Sequence, residues 1–148
     1  MSLDGLYREI ILDHYQNPRN RGVLEDADAA SHGHNPLCGD EVDVFLKLRG
    51  SQIDAIGFTS RGCSISQATA SMMTESVKGH TVQDAEAMVA AFKAMMLEGG
   101  TLDGRPEMAD LEALQGVKQY PVRIKCALLP WNTLQDALDT YQARSGSA

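Results

Sequence analysis

Near residue 62 the hydrophobic period changes from that of a strand to that of a helix, and this change constrains the fold more than any other feature. From Asp40 to Arg49 every second residue is apolar, and Gln52 to Thr59 follows after a two-residue turn at Gly50-Ser51. This pattern predicts two antiparallel strands that form a hairpin. Beyond residue 65 the apolar residues recur at helical spacing instead. Strands followed by helices predict an α+β fold with helices packed on one face of a small antiparallel sheet.

Helices are predicted on both sides of this hairpin in the chain. The predicted helices run from Leu3 to Gln16, from Ile65 to Val77, from Thr81 to Gly99, from Glu107 to Leu114 and from Val122 to Ala143. Thr81 and Asp84 form a variant of the capping box at the start of the third helix. Pro130 lies within the last helix and predicts a bend or an interruption there. A short strand is also expected at Ala29–His32.

Size, charge and hydropathy narrow the classes of function. The 148 residues predict a single domain that spans 1–148. No apolar run is long enough to span a bilayer, and no signal peptide is recognisable, so we expect a cytoplasmic protein that does not bind membranes. The net charge of −7 argues against nucleic-acid binding, because phosphate contacts need a basic surface.

The three cysteines lie at predicted element boundaries. Cys38 is in a turn before the first long strand, Cys63 is where a strand gives way to a helix, and Cys126 is near the start of the last helix. Side chains at such boundaries can converge at one end of a sheet. Without an export signal a disulfide framework is not expected, so a metal site or a reactive thiol is favoured. The alternative is three buried cysteines that only fill the core.

Asp40 adds a fourth donor to this group. It follows Cys38 by two residues across Gly39, so a tight turn would let both side chains reach one metal ion. Three cysteines and one aspartate supply the four ligands that tetrahedral zinc requires. The alternative is that Asp40 only caps a turn or a strand end.

Basic residues accompany the cysteines. Arg61, Arg123 and Lys125 each lie within three residues of a cysteine, although the chain as a whole is acidic. Cations favour the thiolate form of a neighbouring cysteine, and a helix N-terminus does the same for Cys63. The alternative is that these residues are solvated surface charges.

The histidines give weaker signals. His14 lies on the apolar face of the first helix and is expected to be a core or interface residue. His32 and His34 precede Cys38 and could reach a metal ion, but turn or surface roles are favoured. His80 is expected to be a cation at a helix C-terminus.

Several longer motifs resemble a known family. They are YREIILDHY at 7–15, NPRN at 17–20, NPLCGD at 35–40, GCSISQA at 62–68 and YPVRIKCA at 120–127. Together they resemble the IscU/NifU N-terminal family of iron–sulfur cluster assembly proteins, and within it the SufU branch. Lys125 stands where IscU-type proteins carry a histidine, and the chain between Cys63 and Cys126 is longer than theirs, near residues 97–118.

The resemblance implies a fold and a ligand set. The fold is a compact α+β domain with a three-stranded antiparallel sheet. The implied ligands are Cys38, Asp40, Cys63 and Cys126, which hold zinc in the SufU branch. Arg123 and Lys125 would support the site by favouring a departing thiolate and an anionic persulfide.

The resemblance also implies a partner and a reaction. A SufS-type cysteine desulfurase would supply persulfide sulfur, and downstream iron–sulfur assembly proteins would use it. A histidine of the desulfurase takes a zinc position, which releases Cys38 as the sulfur acceptor. The chain would then be a zinc-dependent sulfurtransferase-type partner rather than a stand-alone enzyme. The alternatives are a scaffold that assembles a [2Fe–2S] cluster, or binds iron, on the same cysteines, and a structural zinc module without turnover.

Overall fold

The structure is a computed structural model that describes residues 3–37, 39–102 and 104–146. Its elements, in chain order, are α1 (Leu3–Gln16), β1 (Ala29–Asn35), β2 (Asp40–Arg49), β3 (Gln52–Arg61), α2 (Ser64–Val77), α3 (Val82–Glu98), a 3₁₀ segment (Pro106–Gln119) and α4 (Pro121–Gly146). The predicted order of strands and helices is therefore confirmed. Among the described residues no helix is both long and apolar enough to cross a bilayer.

The three strands form one antiparallel sheet in the order β1-β2-β3. Alternate residues of β2 from Val42 to Leu48 are buried, as the period of two predicts. Helix α4 packs on β1 and β2, and α2 packs on β3, which buries this face. The residues between them, such as Asp43 and Lys47, remain half-buried on the other face. The predicted arrangement with helices on one face is confirmed.

The strand register determines which loops meet at the end of the sheet. Strand β1 continues to Asn35 and β3 to Arg61, further than the sequence predicted. Asn35 pairs with Asp40, and Glu41 pairs with Arg61. The first residue of β2 therefore lies beside the junction between β3 and α2.

The segment after α3 differs from its prediction. A short helix from Glu107 to Leu114 was predicted, and Pro106–Gln119 forms a longer 3₁₀ helix. Its large buried apolar residues follow each other at intervals of three, at Met108, Leu111, Leu114 and Val117. With three residues per turn these side chains line up on one face, whereas an α-helix would spread them around half its circumference. The predicted helix is therefore present, but it ends five residues later and has the tighter period of three.

Two predictions concern positions within or at the start of helices. The Thr81 side chain accepts a hydrogen bond from the Asp84 amide at 3.1 Å, so the predicted cap is confirmed. Pro130 was predicted to bend or interrupt the last helix, and α4 continues through it without an interruption. The proline removes only one backbone hydrogen bond. Packing stabilises the helix beyond it, since the adjacent Trp131 is fully buried and stacks on Phe92 with 5.1 Å between ring centroids.

Candidate metal centre

Asp40, Cys63 and Cys126 converge at one end of the sheet. They come from the first residue of β2, the N-cap of α2 and the second turn of α4. Their ligand atoms all lie within 4.8 Å of one another, with Asp40 and Cys126 buried and Cys63 half-buried. Cys38, the fourth predicted ligand, lies outside the described residues, so the four-ligand set stays a prediction.

Asp40 holds the N-terminus of α2. Its Oδ1 accepts a hydrogen bond from the Cys63 amide at 2.8 Å, and its Oδ2 accepts one from the Cys63 thiol at 3.2 Å. The first amides of a helix have no partner within the helix, and the Cys63 side chain makes no capping hydrogen bond. The Asp40 carboxylate therefore caps α2 from β2, by accepting from the Cys63 amide. Asp40 is thus a strand-end carboxylate that also presents an oxygen to a cysteine sulfur.

Gly62 makes room for this carboxylate. Its φ of +136° is a conformation that L-residues rarely adopt, and a Cβ at this position would overlap the Asp40 carboxylate. The sequence analysis identified Gly62 only as the first residue of the GCSISQA motif at 62–68. No sequence signal linked it to Asp40, because the two residues meet only through the register of β2 and β3.

We therefore expect Gly62→Ala to displace Asp40 and weaken metal binding. Gly22→Ala is a matched control, since Gly22 has a similar φ of +145° with nothing within 4 Å of an added Cβ. Both variants carry backbone strain, but only Gly62→Ala also places a Cβ against the Asp40 carboxylate. We expect this overlap to lower the free energy of unfolding by about 2 kcal/mol more than in Gly22→Ala. Urea unfolding and metal content of both variants test this. Equal loss of stability and equal metal content would contradict it.

The donors of this centre fit zinc. Bonds of about 2.3 Å to sulfur and 2.1 Å to oxygen, at a tetrahedral angle, put two such donors about 3.6 Å apart. The Cys63 sulfur and the Asp40 Oδ2 are 3.2 Å apart, so a small adjustment accommodates the ion. Thiolate donors also bind iron and iron–sulfur clusters, so donor chemistry alone does not select the metal.

The basic residues near the cysteines are exposed and point to different surfaces. Lys125 lines a cavity of about 310 Å³ with Leu37, the residue that precedes Cys38 in the chain. Arg123 lines a separate cavity of about 450 Å³ with Tyr7. Their supporting role stays a prediction.

The histidines are not part of this centre within the described ranges. His14 is buried and hydrogen bonded to Ser71 at 2.8 Å, which confirms its prediction as a core residue. His32 contacts Asp43 at 3.0 Å on the open face of the sheet, in agreement with the favoured surface role. His80 lies 3.5 Å from the Asp84 carboxylate, beyond the end of α2.

The fold and the centre define a class of small α+β proteins in which cysteine and aspartate donors from three elements meet at one end of a three-stranded sheet. The family described as "NifU-like N terminal domain" matches residues 6–127, and this chain belongs to that family.

Its relatives share most of their length with it. A zinc-dependent sulfurtransferase SufU of Bacillus subtilis is 46% identical over 90% of both chains. An iron–sulfur cluster assembly scaffold protein IscU of Streptococcus pyogenes is 36% identical over 92% of this chain and 84% of its own. A crystal structure titled as a putative iron–sulfur cluster assembly scaffold protein for the SUF system, from Fervidobacterium islandicum, superposes with a TM-score of 0.82 at 36% identity and covers 93% of this chain and 99% of its own.

Proposed function

We propose that this protein accepts persulfide sulfur from a cysteine desulfurase during iron–sulfur cluster assembly. The sulfur is received at Cys38, beside a zinc ion held by Cys38, Asp40, Cys63 and Cys126. One observation supports this most directly: a buried carboxylate and two cysteine sulfurs from separate elements converge within 4.8 Å. The sulfurtransferase named above, which shares 46% of its residues, points to the same chemistry.

The transfer conserves atoms and charge. Bound zinc would supply a positive charge that keeps the cysteine sulfurs as thiolates at neutral pH. The Cys38 thiolate attacks the outer sulfur of the desulfurase persulfide and forms a new S–S bond. The S–S bond within the desulfurase persulfide breaks, and the desulfurase cysteine leaves as a thiolate. Cys38 then carries the persulfide, and no external oxidant or reductant is consumed.

The neighbours of Cys38 support its choice as the acceptor. Leu37 before it is exposed to 64%, and Gly39 after it has a φ of +71° with open space where a side chain would be. The Gly39 amide is held by the Asn35 carbonyl at 2.8 Å. A glycine in a turn can change its dihedral angles at little steric cost. The exposed Leu37 and the adaptable Gly39 favour transfer of sulfur from a partner protein to this position.

The first test is the metal content of the purified protein. We expect about one zinc per chain, because the donors number four. A double variant with Cys63→Ser and Cys126→Ser should lose it, since two of three thiolates are gone. Elemental analysis of both proteins measures this. Full zinc occupancy in the double variant would contradict the proposed ligand set.

A second candidate function is a scaffold for a [2Fe–2S] cluster. The relative from Streptococcus pyogenes carries that name, and thiolates bind both zinc and iron–sulfur clusters. A visible spectrum of the purified protein separates the two. A colourless zinc protein that stimulates a desulfurase favours the sulfur acceptor, and one that does not is a structural zinc module. Cluster absorbance that passes to an apo-ferredoxin favours the scaffold.

Asp40→Ala should weaken zinc binding about tenfold or more without abolishing it, because the thiolates remain as donors. The change also removes a hydrogen bond to the Cys63 amide, at a cost of about 2 kcal/mol in stability. Asp40→Asn is the control, since its amide oxygen can still accept from Cys63 while the charge is lost. Competition with a chromogenic chelator measures affinity. Unchanged zinc affinity in Asp40→Ala would show that Asp40 is only a cap.

A further inference from the structure

A second group of potential ligands lies away from the cysteines. His14 of α1, Glu75 of α2 and Asp110 of the 3₁₀ segment bring their ligand atoms within 4.8 Å of one another. The His14 Nε2 is 3.1 Å from the Asp110 Oδ2 and 4.0 Å from the Glu75 Oε1. A nitrogen and two carboxylates from three separate elements therefore face one point.

His14 is held as a ligand histidine usually is. The ring is 1% exposed, and its Nδ1 lies 2.8 Å from the Ser71 Oγ. Histidines that bind metals commonly fix their orientation by donating the other ring N–H to a neighbouring acceptor. With Nδ1–H donating to Ser71, the Nε2 lone pair faces the two carboxylates and can bind a cation held between them. Without a cation, Nε2–H donates to Asp110 and the Ser71 hydroxyl donates to Nδ1.

The two carboxylates leave the site open to solvent. Glu75 and Asp110 are about half exposed, and they line a cavity of about 240 Å³ with His14. A cation there can keep water ligands, as ions bound by few protein donors do. The cavity is also lined by Glu107, whose carboxylate is 3.9 Å from the Arg105 guanidinium.

Arg19 is the competing cation. Its Nε is 3.5 Å from the Glu75 Oε1, but its Nη2 donates to Asp13 at 2.6 Å. That hydrogen bond from Arg19 holds the pKa of Asp13 below its usual value. The guanidinium is thus shared with Asp13, and it has no contact with Asp110 or His14 among the described residues. Arg19 therefore contacts only one of the two carboxylates of this group, that of Glu75.

We propose that His14, Glu75 and Asp110 form a second site for a divalent transition metal ion, separate from the cysteine centre. One imidazole and two carboxylates suit Mn²⁺ or Fe²⁺, whereas the thiolates of the cysteine centre select the softer zinc ion. The ion would join the 3₁₀ segment to α1 and α2, so its binding should order that segment.

Manganese tests this site because the cysteine centre discriminates against it. The zinc-loaded protein is titrated with Mn²⁺, and the electron paramagnetic resonance signal of the hydrated ion reports unbound metal. We expect saturable binding of one Mn²⁺ per chain. Asp110→Asn and Glu75→Gln should each weaken it about tenfold or more, as loss of a ligand does. Both side chains are about half exposed, so these variants should fold.

Glu112→Gln is the matched control, since it removes one charge from the same 3₁₀ segment outside the ligand group. It should bind Mn²⁺ like the wild type. Mn²⁺ should also slow amide hydrogen exchange in 106–119 of the wild type but not of Asp110→Asn. Binding that does not saturate below about 1 mM overturns the proposal. Unchanged Mn²⁺ affinity in Asp110→Asn and Glu75→Gln also overturns the proposal. The same holds if Glu112→Gln weakens Mn²⁺ binding as much as these two variants do. Zinc content on the same samples shows whether the cysteine centre stayed intact.

Discussion

Complete removal of zinc is expected to lower the melting temperature by about 10 °C or more. When ligands come from separate elements, the free energy of metal binding becomes part of the free energy of folding. Here the centre joins the start of β2, the N-terminus of α2 and the second turn of α4. A contribution of about 4 kcal/mol corresponds to such a shift in a domain of this size. Calorimetry on the loaded and chelated protein measures it.

The control separates this centre from the second metal site. Asp110→Asn removes a ligand of that site but touches none of the cysteines, so chelation should lower its melting temperature as much as in the wild type. Adding zinc back should restore stability in both. An unchanged melting temperature, after elemental analysis has shown that the zinc is gone, would mean that metal binding does not stabilise the contact between β2, α2 and α4.

Local patterns in the sequence predicted most of the elements. The α1 helix and β2 begin and end where periodicity placed them, because each has a regular pattern and a clear end signal at Asn17-Pro18 or Gly50. The sequence predicted a helix at the 3₁₀ segment but did not decide between a period of three and one of 3.6. Distinguishing the two required counting the spacing of all four apolar residues.

The candidate centre depended on long-range geometry that no local pattern contains. The three cysteines lie at predicted boundaries between elements, which suggested that they could converge. The structure brings Cys63, Cys126 and Asp40 together. The hydrogen bond from Cys63 to Asp40 joins residues 23 positions apart and depends on the register of β2 and β3. The contact between His14 and Asp110 spans 96 positions. Because such contacts follow from packing of distant elements, the sequence identified His14 as a core residue but not its acidic partners.

Burial and hydrogen bonding make Cys63 and Cys126 unfavourable as sulfur acceptors. Cys126 is 1% exposed within α4, so a partner's persulfide could reach it only if the helix moved. Cys63 is half-buried and restrained, because its amide and its thiol both donate to Asp40. Cys38 is flanked by the exposed Leu37 and by Gly39. Since sulfur exchange requires direct attack by the thiolate, the position with accessible neighbours is the one expected to receive sulfur.

Cys38→Ser should therefore abolish stimulation of a SufS-type desulfurase and the formation of persulfide on this chain. Serine is a poor nucleophile at neutral pH and forms no persulfide, while Asp40, Cys63 and Cys126 still retain part of the zinc. Cys63→Ser is the matched control, because it also removes one thiolate but should still accept sulfur. Zinc content, stimulation and persulfide mapping by mass spectrometry are measured on the same samples. Persulfide on Cys63 or Cys126 of the wild type, and never on Cys38, would show that another cysteine is the acceptor.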